Sequence, residues 1–103
     1  MEINGRELHI RTRLNRDTRV RLALRYLQLL WPDSVVEPSV SDDEAFIYQS
    51  KESQESWDRL GRTDQNAPQM VQLIVTPDGL TFVHDGLDEA EIRNTFASNA
   101  IFS

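Results

Sequence analysis

Thr18-Arg-Val-Arg-Leu-Ala-Leu-Arg-Tyr-Leu-Gln-Leu-Leu-Trp31 is the longest apolar run in the chain, and its reading decides the fold. At helical period, Val20, Ala23, Leu24, Leu27, Leu30 and Trp31 share one face. Leu22, Tyr26 and Leu29 fall on nearly the opposite face. Past the first turn only Arg21, Arg25 and Gln28 separate the two, as a narrow polar seam. A helix this apolar needs cover on two sides. Asp17 or Thr18 is the expected N-cap, and Pro32 stops the helix at Trp31 because it disfavours helical geometry in the residue before it.

Working outward, Glu7–Leu14 alternates, with Leu8, Ile10, Thr12 and Leu14 on one side and His9, Arg11 and Arg13 on the other. That is the pattern of a half-buried strand with a wet, basic face. Asn4-Gly5 before it is a turn signal. Beyond the helix, Ser34–Val40 and Ala45–Ser50 read as a hairpin, and Pro38, which has no N–H to give a ladder, restricts the first of these strands to an edge. Lys51–Arg62 reads as a weakly apolar helix. Its large apolar residues are Trp57 and Leu60, its helical ion pairs are Glu55 with Arg59 and Asp58 with Arg62, and Gly61 is its stop.

Met70–Thr76 and Leu80–His84 form the clearest hairpin, with Pro77 presetting the turn and Gly79 expected in the left-handed position of a three-residue loop. Asp88 then caps a last helix, with Glu91 at the third position and Leu87 and Ile92 as a hydrophobic staple. Ile92, Phe96 and Ala100 should point inward, and the Ala100–Phe102 tail should pack down on the core.

These elements predict a single α+β domain over residues 1–103. The expected order is β-α-β-β-α-β-β-α, a mainly antiparallel sheet of four to five strands with helices packed on one face. The first six elements match the split βαβ arrangement, with a C-terminal strand and helix as an extension. In that arrangement the first and third strands are central and the second is an edge.

A chain of 103 residues suffices for one hydrophobic core. Apolar residues at 39% and charged residues at 27% fit an ordinary soluble globule and exclude a disordered or membrane class. Met1–Arg6 lacks the basic region and apolar core of a signal peptide. With no cysteine there is no disulfide, thiol catalysis or thiolate metal site, and a reducing cytoplasm is the expected address. The net charge of −6 is uneven. Residues 1–25 carry seven arginines against three acids, whereas the remainder carries four basic residues against fourteen acidic ones. The plainer reading of the basic quarter is that it balances acids elsewhere in the same domain.

The leading functional expectation is a protein-interaction or regulatory module without catalytic activity, using Leu22, Tyr26 and Leu29 as a stripe for a protein partner or for self-association as a homodimer. The competing reading leaves that stripe covered by Ile92, Phe96 and the C-terminal tail. A second class is binding of single-stranded RNA on an open sheet face, with Phe46 and Tyr48 stacking bases beside His9, Arg11 and Arg13. The acidic balance and the lack of a Gly-aromatic RNA-binding pattern weigh against nucleic acid. A third class is a small acid–base enzyme around His84-Asp85-Gly86, although adjacent strand residues point to opposite faces. Asp42-Asp43-Glu44 reads as an acidic turn rather than a calcium loop, and Trp31 and Trp57 as core anchors. No catalytic residue, cofactor, metal or membrane association is expected.

Overall fold

The computed structural model describes residues 5–63, 65 and 68–100, the side chains of the last three excepted. The turn signal at Asn4 and the apolar tail at 101–102 lie outside these residues. The element order is β1 (Arg6–Arg11), α1 (Arg16–Leu30), β2 (Val35–Pro38), β3 (Glu44–Tyr48), α2 (Lys51–Arg59), β4 (Met70–Thr76), β5 (Gly79–His84) and α3 (Glu89–Ala100). This is the expected α+β order, and the five strands form one antiparallel sheet.

The strand order, β1-β5-β4-β3-β2, corrects the split βαβ expectation. β2 is an edge, as Pro38 requires, and β3 is interior, but β1 is the opposite edge rather than a central strand. Strands β2 to β5 are each neighbours of the next, so the β4–β5 hairpin occupies the middle. β1 then closes onto β5, with Leu8 opposite Phe82 and Ile10 opposite Leu80. The 15 residues of α1 rise about 22 Å, enough to return the chain from one edge to the other across five strands, a width of about 19 Å.

Directly opposed residues of neighbouring strands share a face. Leu8, Phe82, Leu73 and Ala45 therefore form one row, and Ile10, Leu80 and Val75 another. α1 and α3 cover this face, burying Ala23, Tyr26, Leu27, Ile92 and Phe96 against it, and Phe82 meets Phe96 edge to face at 6.2 Å. The expectation of helices on one face holds for α1 and α3. α2 departs from it, seating Trp57 on the other face against Tyr48 and Met70 with Phe46 at the margin. Every residue of β5 is buried.

Local rules place every element, but β1 ends at Arg11 rather than Leu14, α2 at Arg59 rather than Arg62, and β2 is shorter at both ends than expected. The N-cap of α1 is Asn15, whose Oδ1 accepts the Thr18 N–H at 2.9 Å, so the helix starts earlier than Asp17 or Thr18 would allow. Trp31 leaves the helix as its C-cap and turns inward, which leaves Leu30, expected on the buried face, at the surface. Gly79 pairs with Thr76 across a two-residue turn and is not left-handed. It is glycine because a Cβ there would lie 1.7 Å from the Ile10 carbonyl oxygen. Asp88 caps α3 as expected, its Oδ1 accepting the Glu91 N–H at 3.1 Å, and Leu87 and Ile92 pack in the same cluster.

Candidate protein interface

α1 and α3 lie side by side, and the helical period sets a groove between them. Leu22, Arg25, Tyr26, Leu29 and Leu30 line it from α1, and Glu91 and Thr95 from α3, around a volume of about 490 Å³. The structure thus gathers the expected Leu22, Tyr26 and Leu29 on one wall and adds Leu30. Their environments differ. Tyr26 is buried among core residues, Leu22 is half-buried, Leu29 is 75% exposed and Leu30 46% exposed. Burial, and then the carboxylates Glu91 and Asp88, push the Tyr26 phenol above its ordinary range, so the phenol stays neutral. Arg25 and Glu91 place opposite charges on facing walls of a groove that mixes leucine side chains with polar groups.

The proposed nucleic-acid face is not assembled. His9, Arg11, Phe46 and Tyr48 do point to the same side of the sheet, but β5 and β4 separate β1 from β3, a distance of about 14 Å. His9 Nδ1 meets the Thr81 hydroxyl at 2.6 Å, and Arg11 Nε pairs with Asp78 at 3.2 Å. Arg13 is exposed beyond the end of β1. The Tyr48 ring is buried under Trp57 at 6.1 Å between centroids. No stacking platform lies beside the arginines.

A polar cluster that linear reasoning missed fixes α2 to the sheet. Glu37 of β2 accepts two bonds from Arg62 (2.8 and 3.0 Å), one from Gln54 (2.9 Å) and one from the Tyr48 hydroxyl (3.0 Å). Arg62 sits in the left-handed region at φ 54°, also pairs with Asp58, and stacks 5.3 Å from the Trp57 ring. The Arg62 bonds, aided by Gln54 and Tyr48, hold the Glu37 carboxyl down at about 2 against the effect of burial. Burial and then the Glu37 bond push Tyr48 up to about 12. A carboxylate with four donors on its two oxygens is an anchor, not a base awaiting a proton. The Asp58–Arg62 spacing was visible as a helical pair, but Glu37 lies 25 residues from Arg62 and no local pattern links them.

His84 is likewise occupied. Its Nδ1 faces the Leu87 N–H at 3.1 Å, and its Nε2 lies 2.9 Å from Glu89. A backbone N–H can only donate, so Nδ1 accepts and Nε2 carries the proton shared with Glu89. The carboxylate at the imidazole is Glu89 rather than the adjacent Asp85, because the chain reverses at Gly86 (φ 106°) and brings the first turn of α3 back over the strand end. Both ring nitrogens serve the turn. In the acidic turn Asp43 pairs with Arg16 at 2.8 Å, and Arg16 also donates to the Asp42 carbonyl at 2.6 Å. Arg11 and Arg16 of the basic N-terminal quarter thus pair with acids of the later chain.

Among the described residues no three His, Asp or Glu side chains converge in a way that could hold a metal ion, and no helix is long and apolar enough to cross a membrane. Compared with protein-family models, with curated proteins and with solved structures, the chain gives no match.

Proposed function

We propose that this chain is a soluble, cytoplasmic protein-interaction or regulatory module without catalytic activity, which receives an apolar segment of a partner polypeptide in the α1–α3 groove. The observation that carries this reading is the exposure of Leu29 and Leu30 at the rim of a groove whose floor includes Leu22 and Tyr26. Single exposed leucines are common on soluble proteins, whereas two beside a concave apolar floor make a contiguous patch. Burying such a patch contributes about 25 cal/mol per Å², and Arg25 and Glu91 can orient what enters. A cytoplasmic setting suits a chain without cysteine.

A photo-crosslinking residue at position 29 tests the reading, with position 40 as the control, since Val40 is fully exposed and lies outside the groove. The expected result is a defined adduct with a partner polypeptide from 29 and none from 40, lost when Leu30→Asp is added. Equal labelling from the two positions would reject the groove as a binding surface.

A further inference from the structure

The sheet has two edges, and they differ in how they end it. β2 is four residues long and finishes in Pro38. β1 runs for six residues, Arg6–Arg11, without proline or glycine. Its hydrogen-bonding direction follows from the Thr12 N–H, which reaches the Asp78 carbonyl at 3.0 Å. Thr12 and Asp78 stand directly opposite in the β1–β5 register, and ladder bonds of an antiparallel pair alternate residue by residue. Leu8 and Ile10 therefore bond inward to β5, while Glu7, His9 and Arg11 turn their N–H and C=O groups away from the sheet. All three are exposed, and among the described residues no strand pairs with that side.

We propose that β1 is a homodimerisation edge, pairing antiparallel with β1 of a second copy so that His9 meets His9 at a two-fold axis normal to the sheet. In this register Glu7 lies opposite Arg11 of the second copy, and Arg11 opposite its Glu7, on the same face. Leu8 lies opposite Ile10 on the other face. The charge order Glu-x-His-x-Arg is thus complementary to itself when reversed. Shifting the centre of symmetry to Leu8 or to Ile10 loses both opposite-charge pairs of this kind within the strand, the first setting Glu7 against His9 and the second setting His9 against Arg11. Outward groups of Glu7, His9 and Arg11 in both copies supply about six backbone hydrogen bonds, and like or opposite charges directly across a strand pair decide its sign. Arg11 bonds Asp78 through Nε, and a guanidinium has five N–H donors, so the same side chain can also meet Glu7 of the second copy. α1 and α3 of both copies stay on one face of a ten-stranded sheet. This edge is separate from the α1–α3 groove and does not rest on it.

Sedimentation equilibrium of the full chain from micromolar to millimolar concentration tests the proposal, with circular dichroism to check the fold of each variant. The wild type should dimerise, and Arg11→Glu should weaken the dimer at least roughly tenfold by placing two like-charge pairs across the axis. The charge swap E7R/R11E should restore it. Both variants lose the exposed Arg11–Asp78 pair, so only the interchain pairing distinguishes them. His9→Pro should leave the β1–β5 ladder intact, because the His9 N–H faces outward, and should abolish the dimer. A strict monomer at about 1 mM, an R11E variant as dimeric as the wild type, or a swap that fails to restore association would overturn the proposal. So would loss of the dimer in L29D/L30D, since that would assign association to the groove.

Discussion

Glu37 shows how one side chain can hold an element in place. Its carboxyl lies at about 2 in the folded chain against an ordinary 4.5, so the unfolded chain binds more protons between those values. The stability it contributes is complete above about pH 4.5 and is lost as pH falls from there towards 2. Glu37→Gln should cost about 1.5–3 kcal/mol at neutral pH, the range for hydrogen bonds to a charged group. It should also flatten the loss of stability between pH 4.5 and 2 in denaturant titrations. An acid limb identical to that of the wild type would show that Glu37 does not anchor α2. Gly79 is a second such residue. Ala at 79 places a methyl group 1.7 Å from the Ile10 oxygen and 2.8 Å from its carbonyl carbon, so β1 must move off β5. Gly79→Ala should cost about 3 kcal/mol by overpacking, read as a shift of the denaturation midpoint. A cost within 0.5 kcal/mol would contradict the close approach.

At the scale of elements, α1 carries both burial and display. Its middle turns are buried by the sheet and α3, and its last turn ends with Trp31 folded in and Leu29 and Leu30 facing out. The apolar period of the run predicts the helix but gives both faces nearly equal weight, so it cannot say which leucines are covered. That depends on where α3 lies, and on Trp31 leaving the helix. The start of α1 is a local matter, since the sequence offers several cap-forming residues and geometry selects one. Asn15→Ala should cost about 1 kcal/mol. Asp17→Ala, which removes only a first-turn charge, should cost less than that. Thermal unfolding of the two variants checks the order, and the reverse order would return the cap to Asp17. The groove follows the same logic, because Leu22, Tyr26 and Leu29 were legible as a stripe while Glu91 and Thr95 on the far wall were not.

Across the whole molecule, protection is graded by position in the sheet. β5 is buried on both faces and paired on both sides, β4 likewise sits inside, and β2 is a short edge beyond β3. Native-state hydrogen exchange should therefore find the slowest amides in β5 and β4 and the fastest strand amides in β2 and at the outward N–H groups of β1. Comparable protection of β2 and β5 would contradict this sheet order.

The amino-acid sequence by itself determined the eight elements and their order, the Asp88 cap, the hairpin at Pro77 and the edge position of β2. Each of these is set by propensity, capping or turn chemistry acting over a few neighbouring residues. Only the tertiary structure decided that β1 joins β5, that α2 crosses to the other face, that Glu37 meets Arg62, and that Leu30 stays outside. The alternation of Leu8 and Ile10 suits any apolar neighbour, and Trp57 would pack on either face. Such choices are made by which surfaces remain uncovered once the β4–β5 hairpin and α1 have formed, and distance along the chain carries no record of them.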